Sequence, residues 1–392
     1  MNTNLLKNHI QQYILQHLKT DITQLVFKGS PFVDVDMHEL LQQLESKRKC
    51  EKKLPLWFRT DGIYYPNKLN IEQTSSETTA SFKSEMIEGG NRIIDITGGF
   101  GVDCHAFSSV FAQVIHCELN SELSEMVQHN NQVLGIKNIQ CIQGDGVQYV
   151  IDNNQHYDWI YIDPSRRNDA KGKVFLLKDC LPNVPMHLDS LLEKTNQILI
   201  KNSPLIDISS CINELKFVKK IHVVALHNEV KEVLVCIEKN YEGKIDILAT
   251  NLDKESNTFR FTYQQEYPYE LSKPLTYLYE PNSAILKSGG FAAVCDSYNV
   301  CKLHQHSHLY TSNTLVPFAG RRFKILHNLP YHKKQLLKLL PEKKANITTR
   351  NFKESVATIR KKTGIKEGGN IYLFFTTNLE NEQVVLVCEK II

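Results

Sequence analysis

Between residues 92 and 239 the chain alternates short β-rich runs with helical stretches, and this rhythm restricts its fold more than any other feature. RIIDIT (92–97), VIHCEL (114–119), IQCIQGD (139–145), DWIYIDP (158–164), NQILIKNS (196–203), KIHVVAL (220–226) and EVLVCIEK (232–239) have strand character. VDCHAFSSVF, Ser121–Leu134 and the stretches near 179–194 and 205–216 have helical spacing. Strands alternating with helices build βαβ units, and so a mostly parallel sheet with helices on both faces. The last two runs are joined only by HNEVK, too short for a crossover helix, so they are expected to pair antiparallel. An α/β fold with a seven-stranded sheet ending in a hairpin follows, unlike the usual dinucleotide-binding arrangement.

The chain has 392 residues, enough for two or three folding units. Leu6, Ile10, Tyr13, Ile14 and Leu18 fall near one helical face, and Asp36–Glu39 opens a second pattern through Leu40, Leu41 and Leu44. A helical region over 1–84 is expected. Within it LPLWFRTDGIYYP (54–66) reads as a connector, and IEQTSSETTASFKSEMI (71–87) as Ser/Thr caps leading into a short helix. The α/β domain is placed at 85–250. Beyond residue 240 the rhythm stops: KIDILAT and TFRFTY are β-like and QQEYPYELSKPLTYLYEP is rich in Pro and Tyr, so 251–320 is read as a small β-containing linking domain. Residues 321–392 carry FKIL, a lysine-rich helix His332–Leu340, NITTR, a helix Phe352–Thr363 and the strands IYLFFTT and QVVLVCEK, a small α/β unit.

Several classes are excluded. Apolar runs such as Val223–Leu226 and Val384–Cys388 last a few residues, whereas a membrane span needs about 20. The start, MNTNLLKNHIQQYILQHLK, lacks the continuous apolar core of a signal peptide. The ten cysteines contain no C-x-x-C pair, which fits a reducing, cytoplasmic home and no structural metal. G-x-S-x-G and P-loop patterns are absent, and His105 and the other histidines show no spacing that demands a metal or a triad. The net charge is +3, but residues 321–392 alone carry +9 and the remainder −6. Such asymmetry suits either a polyanion partner or a solvated lysine-rich surface.

Chemistry-bearing residues gather where strands are expected to end. DITGGFGVD (95–103) puts Asp95 at the end of a strand, then a turn in which Gly99 and Gly101 let the backbone bend tightly and approach a ligand, then a helix start. As a dinucleotide fingerprint the run fails at its third glycine, Cys104 standing there. Glu118 ends the second strand, where a carboxylate can accept both hydroxyls of a ribose. Asp145, within Gly144-Asp145-Gly146, is placed to accept from an adenine amino group, and Gly-Asp-Gly is equally a good turn. Asp163 precedes Pro164, whose ring holds the preceding backbone extended, so its carboxylate can be held rigidly to orient an amine for in-line attack on a methyl group. Ser165, Arg166 and Arg167 follow, the arginines being suited to phosphate.

With these residues in place the chain resembles a class I S-adenosylmethionine-dependent methyltransferase, a Rossmann-like fold. DITGGFG, including Thr97, resembles the family's first motif, Glu118 its ribose acid and Asp145 its adenine-side acid. DPSRR (163–167) resembles the D-P-P-R and N-P-P-Y motifs of amino-directed nucleic-acid methyltransferases, departing from them at Ser165 and lacking the aromatic that stacks on a flipped adenine. Those departures leave the acceptor atom open. Over nearly the whole chain, EQTSSETTASFKSEM, DITGGFGVD, YIDPSRR, KNSPLID, NEVKE, YLYEPN and TTRNF resemble a bacterial family that joins this catalytic domain to a ferredoxin-like and a THUMP-like domain.

The resemblance implies S-adenosylmethionine as cofactor, RNA as partner and no membrane or metal. It implies cofactor contacts from Asp95, Thr97, Gly99, Gly101, Glu118 and Asp145, and a catalytic segment of Asp163, Pro164, Ser165 and Arg166. Lys83, with Gln73, Ser75, Ser76 and Glu77, falls where this class often lines the methionine end of the cofactor, although helix capping explains the hydroxyls equally well. The expected activity is methyl transfer to an amino nitrogen of RNA. A catalytically silent RNA- or protein-binding module on the same scaffold stands as the alternative, and a nicotinamide-dependent oxidoreductase is disfavoured by the missing glycine and the terminal hairpin.

Overall fold

Residues 1–166, 176–253 and 258–391 are described by the computed structural model. The chain divides into two units, one formed by Met1–Lys220 with Val233–Gly243, the other by Ile221–Glu232 with Lys244–Ile392.

In the first unit, Asp21 and Asp36 start the helices Ile22–Lys28 and Met37–Lys53 by accepting from the backbone N–H groups of Thr23 (2.9 Å) and His38 (2.7 Å). The apolar face read from the sequence is buried: Ile10, Ile14, Leu40 and Leu44 share one cluster with Trp57, Tyr65, Leu123, Met126 and Val127. The last three belong to the helix Ser121–Val133, so the N-terminal helices share a core with the helix that links the strands Phe111–Glu118 and Ile139–Gln143. Side-chain amides fix the connector between them. Gln43 bonds both the N–H and the C=O of Tyr65 (2.9 and 2.6 Å), and Asn130 does the same for Tyr64 (both 2.9 Å). Each amide supplies the donor and acceptor that a neighbouring strand would otherwise offer, which keeps this buried backbone satisfied.

The large sheet contains β1 (Gly90–Asp95), β2 (Phe111–Glu118), β3 (Ile139–Gln143), β4 (Trp159–Ile162), β5 (Gln197–Asn202), β6 (Val218–Leu226), β7 (Glu229–Glu238), β8 (Asp246–Leu252) and β9 (Thr258–Thr262). Its order is β3-β2-β1-β4-β5-β7-β6-β8-β9. Strands β1 to β5 pair in parallel, β7 runs antiparallel to β5, and β6 and β7, joined by the short HNEVK link, are neighbours. Nine strands stand where seven were expected. KIDILAT and TFRFTY supply β8 and β9 instead of lying outside this sheet. The physical reason is the edge: the hairpin leaves β6 with unpaired backbone groups on one side, and β8 takes them up.

The second sheet contains β10 (Tyr277–Pro281), β11 (Cys301–Lys302), β12 (Tyr310–Ser312), β13 (Gly320–Pro330), β14 (Asn346–Arg350), β15 (Ile371–Thr377) and β16 (Gln383–Ile391), in the order β11-β12-β10-β13-β16-β15-β14. Its central strands alternate strictly between two cores. Leu373, Phe375, Val385 and Val387 pack with Leu336 and Ile359 on one face, while Phe374, Val384, Leu386 and Cys388 pack with Leu278 and Phe323 on the other. Glu280 on β10 is 3% exposed and accepts from Arg321 Nε (2.6 Å) and from an Arg350 guanidinium nitrogen (2.9 Å). Among the described residues no helix is long and apolar enough to cross a membrane.

Candidate functional site

The sheet brings the ends of β1, β2 and β4 side by side, with Asp95 opposite His116 and Tyr161. Asp95 is 2% exposed, and its Oδ1 accepts from the N–H (2.8 Å) and hydroxyl (2.9 Å) of Thr97. Thr97 Oγ1 then accepts from the Asp163 N–H at 2.7 Å. One hydroxyl therefore ties the glycine turn after β1 to the Asp-Pro segment after β4. Burial pushes the Asp95 carboxyl up to about 7, with Asp103 and Asp163 adding to the rise and the Thr97 bonds opposing it.

The turn itself needs glycine. Gly101 has φ +73°, and a Cβ there would also lie 2.8 Å from Val127 Cγ1. At Gly98 a Cβ would meet His116 Nε2 at 2.5 Å and the Cys117 carbonyl oxygen at 2.7 Å, a contact no larger residue tolerates. His116 is fully buried beneath the turn, with Nε2 3.1 Å from the Gly99 carbonyl. Since that oxygen only accepts, Nε2 carries the proton, and burial keeps the ring neutral by lowering its pKa.

Glu118 clasps the same turn from β2. Its Oε2 accepts from the Gly99 N–H (2.9 Å) and its Oε1 from the Asn120 N–H (2.8 Å), leaving further lone pairs on each oxygen. Asp145 is exposed and caps the helix Gly146–Asp152, its Oδ1 accepting from the Val147 (2.9 Å) and Gln148 (3.1 Å) N–H groups. The backbone around these acids is uncovered: a Cβ at Gly99 would meet only the Thr97 carbonyl, at 3.7 Å, and one at Gly144 nothing within 4 Å. Open glycine backbone between Glu118 and Asp145 fits the ribose and adenine of a nucleoside cofactor.

Lys83 stands elsewhere in this network. It is fully buried on the helix Glu77–Met86, with Nζ 3.1 Å from Ser75 Oγ and 3.1 Å from Asp103 Oδ1. Asp103 Oδ2 accepts from Ser75 Oγ (2.8 Å) and Tyr161 OH (2.9 Å). Burial alone would raise the Asp103 carboxyl, but Lys83, Lys201 and these two hydroxyls hold it below its ordinary range. Ser76 caps the same helix in a capping box with Thr79, so the Ser/Thr-rich segment supplies both a cap and, through Ser75, a site contact.

At the end of β4, Asp163 is half-buried and pairs through Oδ2 with Lys201 Nζ. Pro164 is buried and Ser165 exposed, and Ser165–Arg166 forms a short antiparallel ribbon with Cys180–Leu181. The Arg166 side chain and Arg167 lie outside the described residues. Sequence reading assigned no role to Asp103, Tyr161 or Lys201. The available signals were an acid in the first helical turn after the glycines and a lysine closing the apolar run QILI (197–200). Among the described residues no group of His, Cys, Asp and Glu side chains is placed to hold a metal ion.

A sheet of this order, with a glycine turn after β1 and acids closing β2, β3 and β4, defines the Rossmann-like methyltransferase class. Comparison with known proteins agrees. Residues 90–240 match the profile of the RNA cap guanine-N2 methyltransferase family, 277–318 a ferredoxin-like domain and 320–390 a THUMP domain-like family. A solved structure of a protein from Porphyromonas gingivalis W83, assigned as a methyltransferase, superimposes with a TM-score of 0.88 at 32% identity, over 100% of this chain and 99% of that one. An uncharacterized RNA methyltransferase of Mycoplasma mobile (strain ATCC 43663 / 163K / NCTC 11711) is 25% identical over 105 residues, 27% of this chain. The match spans only 29% of that relative's length. The chain belongs to the methyltransferase family that joins a Rossmann-like domain to ferredoxin-like and THUMP-like domains.

Proposed function

We propose that this chain is an S-adenosylmethionine-dependent methyltransferase that modifies RNA at an amino nitrogen. The observation that carries the reading is the Thr97 hydroxyl, which joins the glycine turn to the Asp163 backbone and so registers a cofactor pocket against an acceptor-orienting carboxylate. When bound, the cofactor supplies a methyl group on a sulfonium centre. The chain's own part is placement. Gly99 and Gly101 let the backbone approach the nucleoside, Glu118 takes the ribose hydroxyls on its remaining lone pairs, and Asp145 takes the adenine amino group on Oδ2. Lys83 acts from behind, holding Asp103 and through it the first turn of the helix after the glycines. Asp163, stiffened by Pro164, aims the substrate nitrogen.

RNA is supported by the guanine-N2 profile, the Mycoplasma relative, the THUMP-like region and the +9 charge of residues 321–392. The expected division at 1–84, 85–250, 251–320 and 321–392 belongs to this reading, as does a cytoplasmic home, which the ten unpaired cysteines favour.

The test is tritium transfer from methyl-labelled S-adenosylmethionine into total bacterial RNA. Wild type is expected to incorporate label. Asp163→Ala is expected to abolish transfer while cofactor affinity stays within about tenfold, because positioning and binding are separable. A wild type that binds the cofactor and transfers nothing would make the chain a binding module; loss of cofactor affinity in Asp163→Ala as large as the loss of turnover would remove the role given to Asp163.

A further inference from the structure

Lys201 is the penultimate residue of β5, directly after Ile198, Leu199 and Ile200, each fully buried, and is itself 8% exposed. An ammonium so placed needs a partner, and Asp163 Oδ2 supplies it from the neighbouring strand. The other Asp163 oxygen, Oδ1, has no hydrogen-bond donor among the described residues. The charged and titratable groups facing this pair are Asp95 at the end of β1, Asp103 in the helix Val102–Phe107, Lys83 on Asp103, and Tyr161 on β4. Asp163 thus shares its surroundings with two other carboxylates, one buried behind Thr97 and one neutralised by Lys83.

We infer that Lys201 is a positioning residue for the transfer step: its ammonium holds the Asp163 carboxylate fixed through Oδ2, so that Oδ1 serves as a hydrogen-bond acceptor for the substrate amine and not as a proton-abstracting base. This rests on the function proposed above. In the step, the nitrogen lone pair forms the N–C bond, the S–C electron pair returns to sulfur, and the proton shed by nitrogen passes to solvent water. A carboxylate bound to an ammonium is a weak base, which suits orientation and not proton storage. Without Lys201, the Asp163 carboxylate would have no cation on it, and a proton taken up on Oδ1 would remove that oxygen as an acceptor.

The experiment uses the full chain, with tritium transfer into total bacterial RNA from pH 5.5 to 8.5, S-adenosylmethionine affinity by calorimetry and thermal melting for each variant. Wild type is expected to hold a level rate over the acid half of this range. Lys201→Met is expected to lose at least about tenfold at its acid end, the deficit shrinking as pH rises, with cofactor affinity within about threefold. Lys201→Arg is expected to keep the level profile. Asp163→Asn, which retains an acceptor oxygen and cannot take a proton, is expected to keep transfer within about a hundredfold of wild type, and this variant decides the point should Lys201→Met not fold. A Lys201→Met profile parallel to wild type would overturn the inference, as would Asp163→Asn falling to the Asp163→Ala background. A wild type that transfers no label would overturn the functional reading itself, and this inference with it.

Discussion

Asp95 hides from water behind Thr97, and its carboxyl is pushed up to about 7 by burial, with Asp103 and Asp163 contributing. Between its unfolded value, about 4, and that raised value the folded chain holds a proton the unfolded chain releases, so stability falls as pH rises through this window. Asp95→Asn keeps an acceptor for both Thr97 donors and carries no charge. Its melting temperature relative to wild type is expected to shift in the variant's favour from pH 5 to pH 8; a constant difference would contradict the burial argument. At this scale the sequence displayed one kind of residue and concealed another. Asp95, Glu118, Asp145 and Asp163 stand out because an acid closing an apolar strand is conspicuous. Their division of labour was hidden: Asp145 spends Oδ1 on a helix cap and Lys83 turns to Asp103, because both outcomes depend on which backbone lies alongside. Lys201 acquires meaning only once β5 is known to lie beside β4.

The turn between β1 and the helix Val102–Phe107 is the element on which the site depends. Gly101→Ala combines a positive φ with a contact at Val127, and is expected to destabilise the chain by about 1 kcal/mol or more. Urea unfolding measures this, and an unchanged midpoint would show that the turn relaxes freely. All seven runs of the expected sheet fold as strands, most of them with β-branched and apolar residues buried on both faces and β3 at the edge only partly covered, and the two joined by the short HNEVK link lie side by side. KIDILAT and TFRFTY carried an equally clear strand pattern but no indication of their neighbours. Pattern reports a strand's faces, whereas sheet membership is decided by which edge remains open.

Across the whole molecule, the second sheet interleaves the regions read as separate linking and C-terminal domains. β10 pairs with β13, and Glu280 on β10 is gripped by Arg321 and Arg350. Deleting 321–392 would therefore break a sheet as well as remove charge, and charge reversal is the sounder test of RNA affinity. Lys333, Lys334 and Lys338 are exposed on one short helix. Lys333→Glu, Lys334→Glu and Lys338→Glu together are expected to weaken binding to total RNA and to flatten its dependence on salt, because fewer counterions are released. Equal affinity and an equal salt slope would place the RNA surface elsewhere. The account as a whole depends on a nucleoside pocket at the carboxyl ends of β1, β2 and β3. Isothermal titration of the folded full chain with S-adenosylhomocysteine tests that pocket most directly: saturable heat at one site per chain, with none from NAD, is the expected result, and no heat from a chain with an intact melting transition would contradict it.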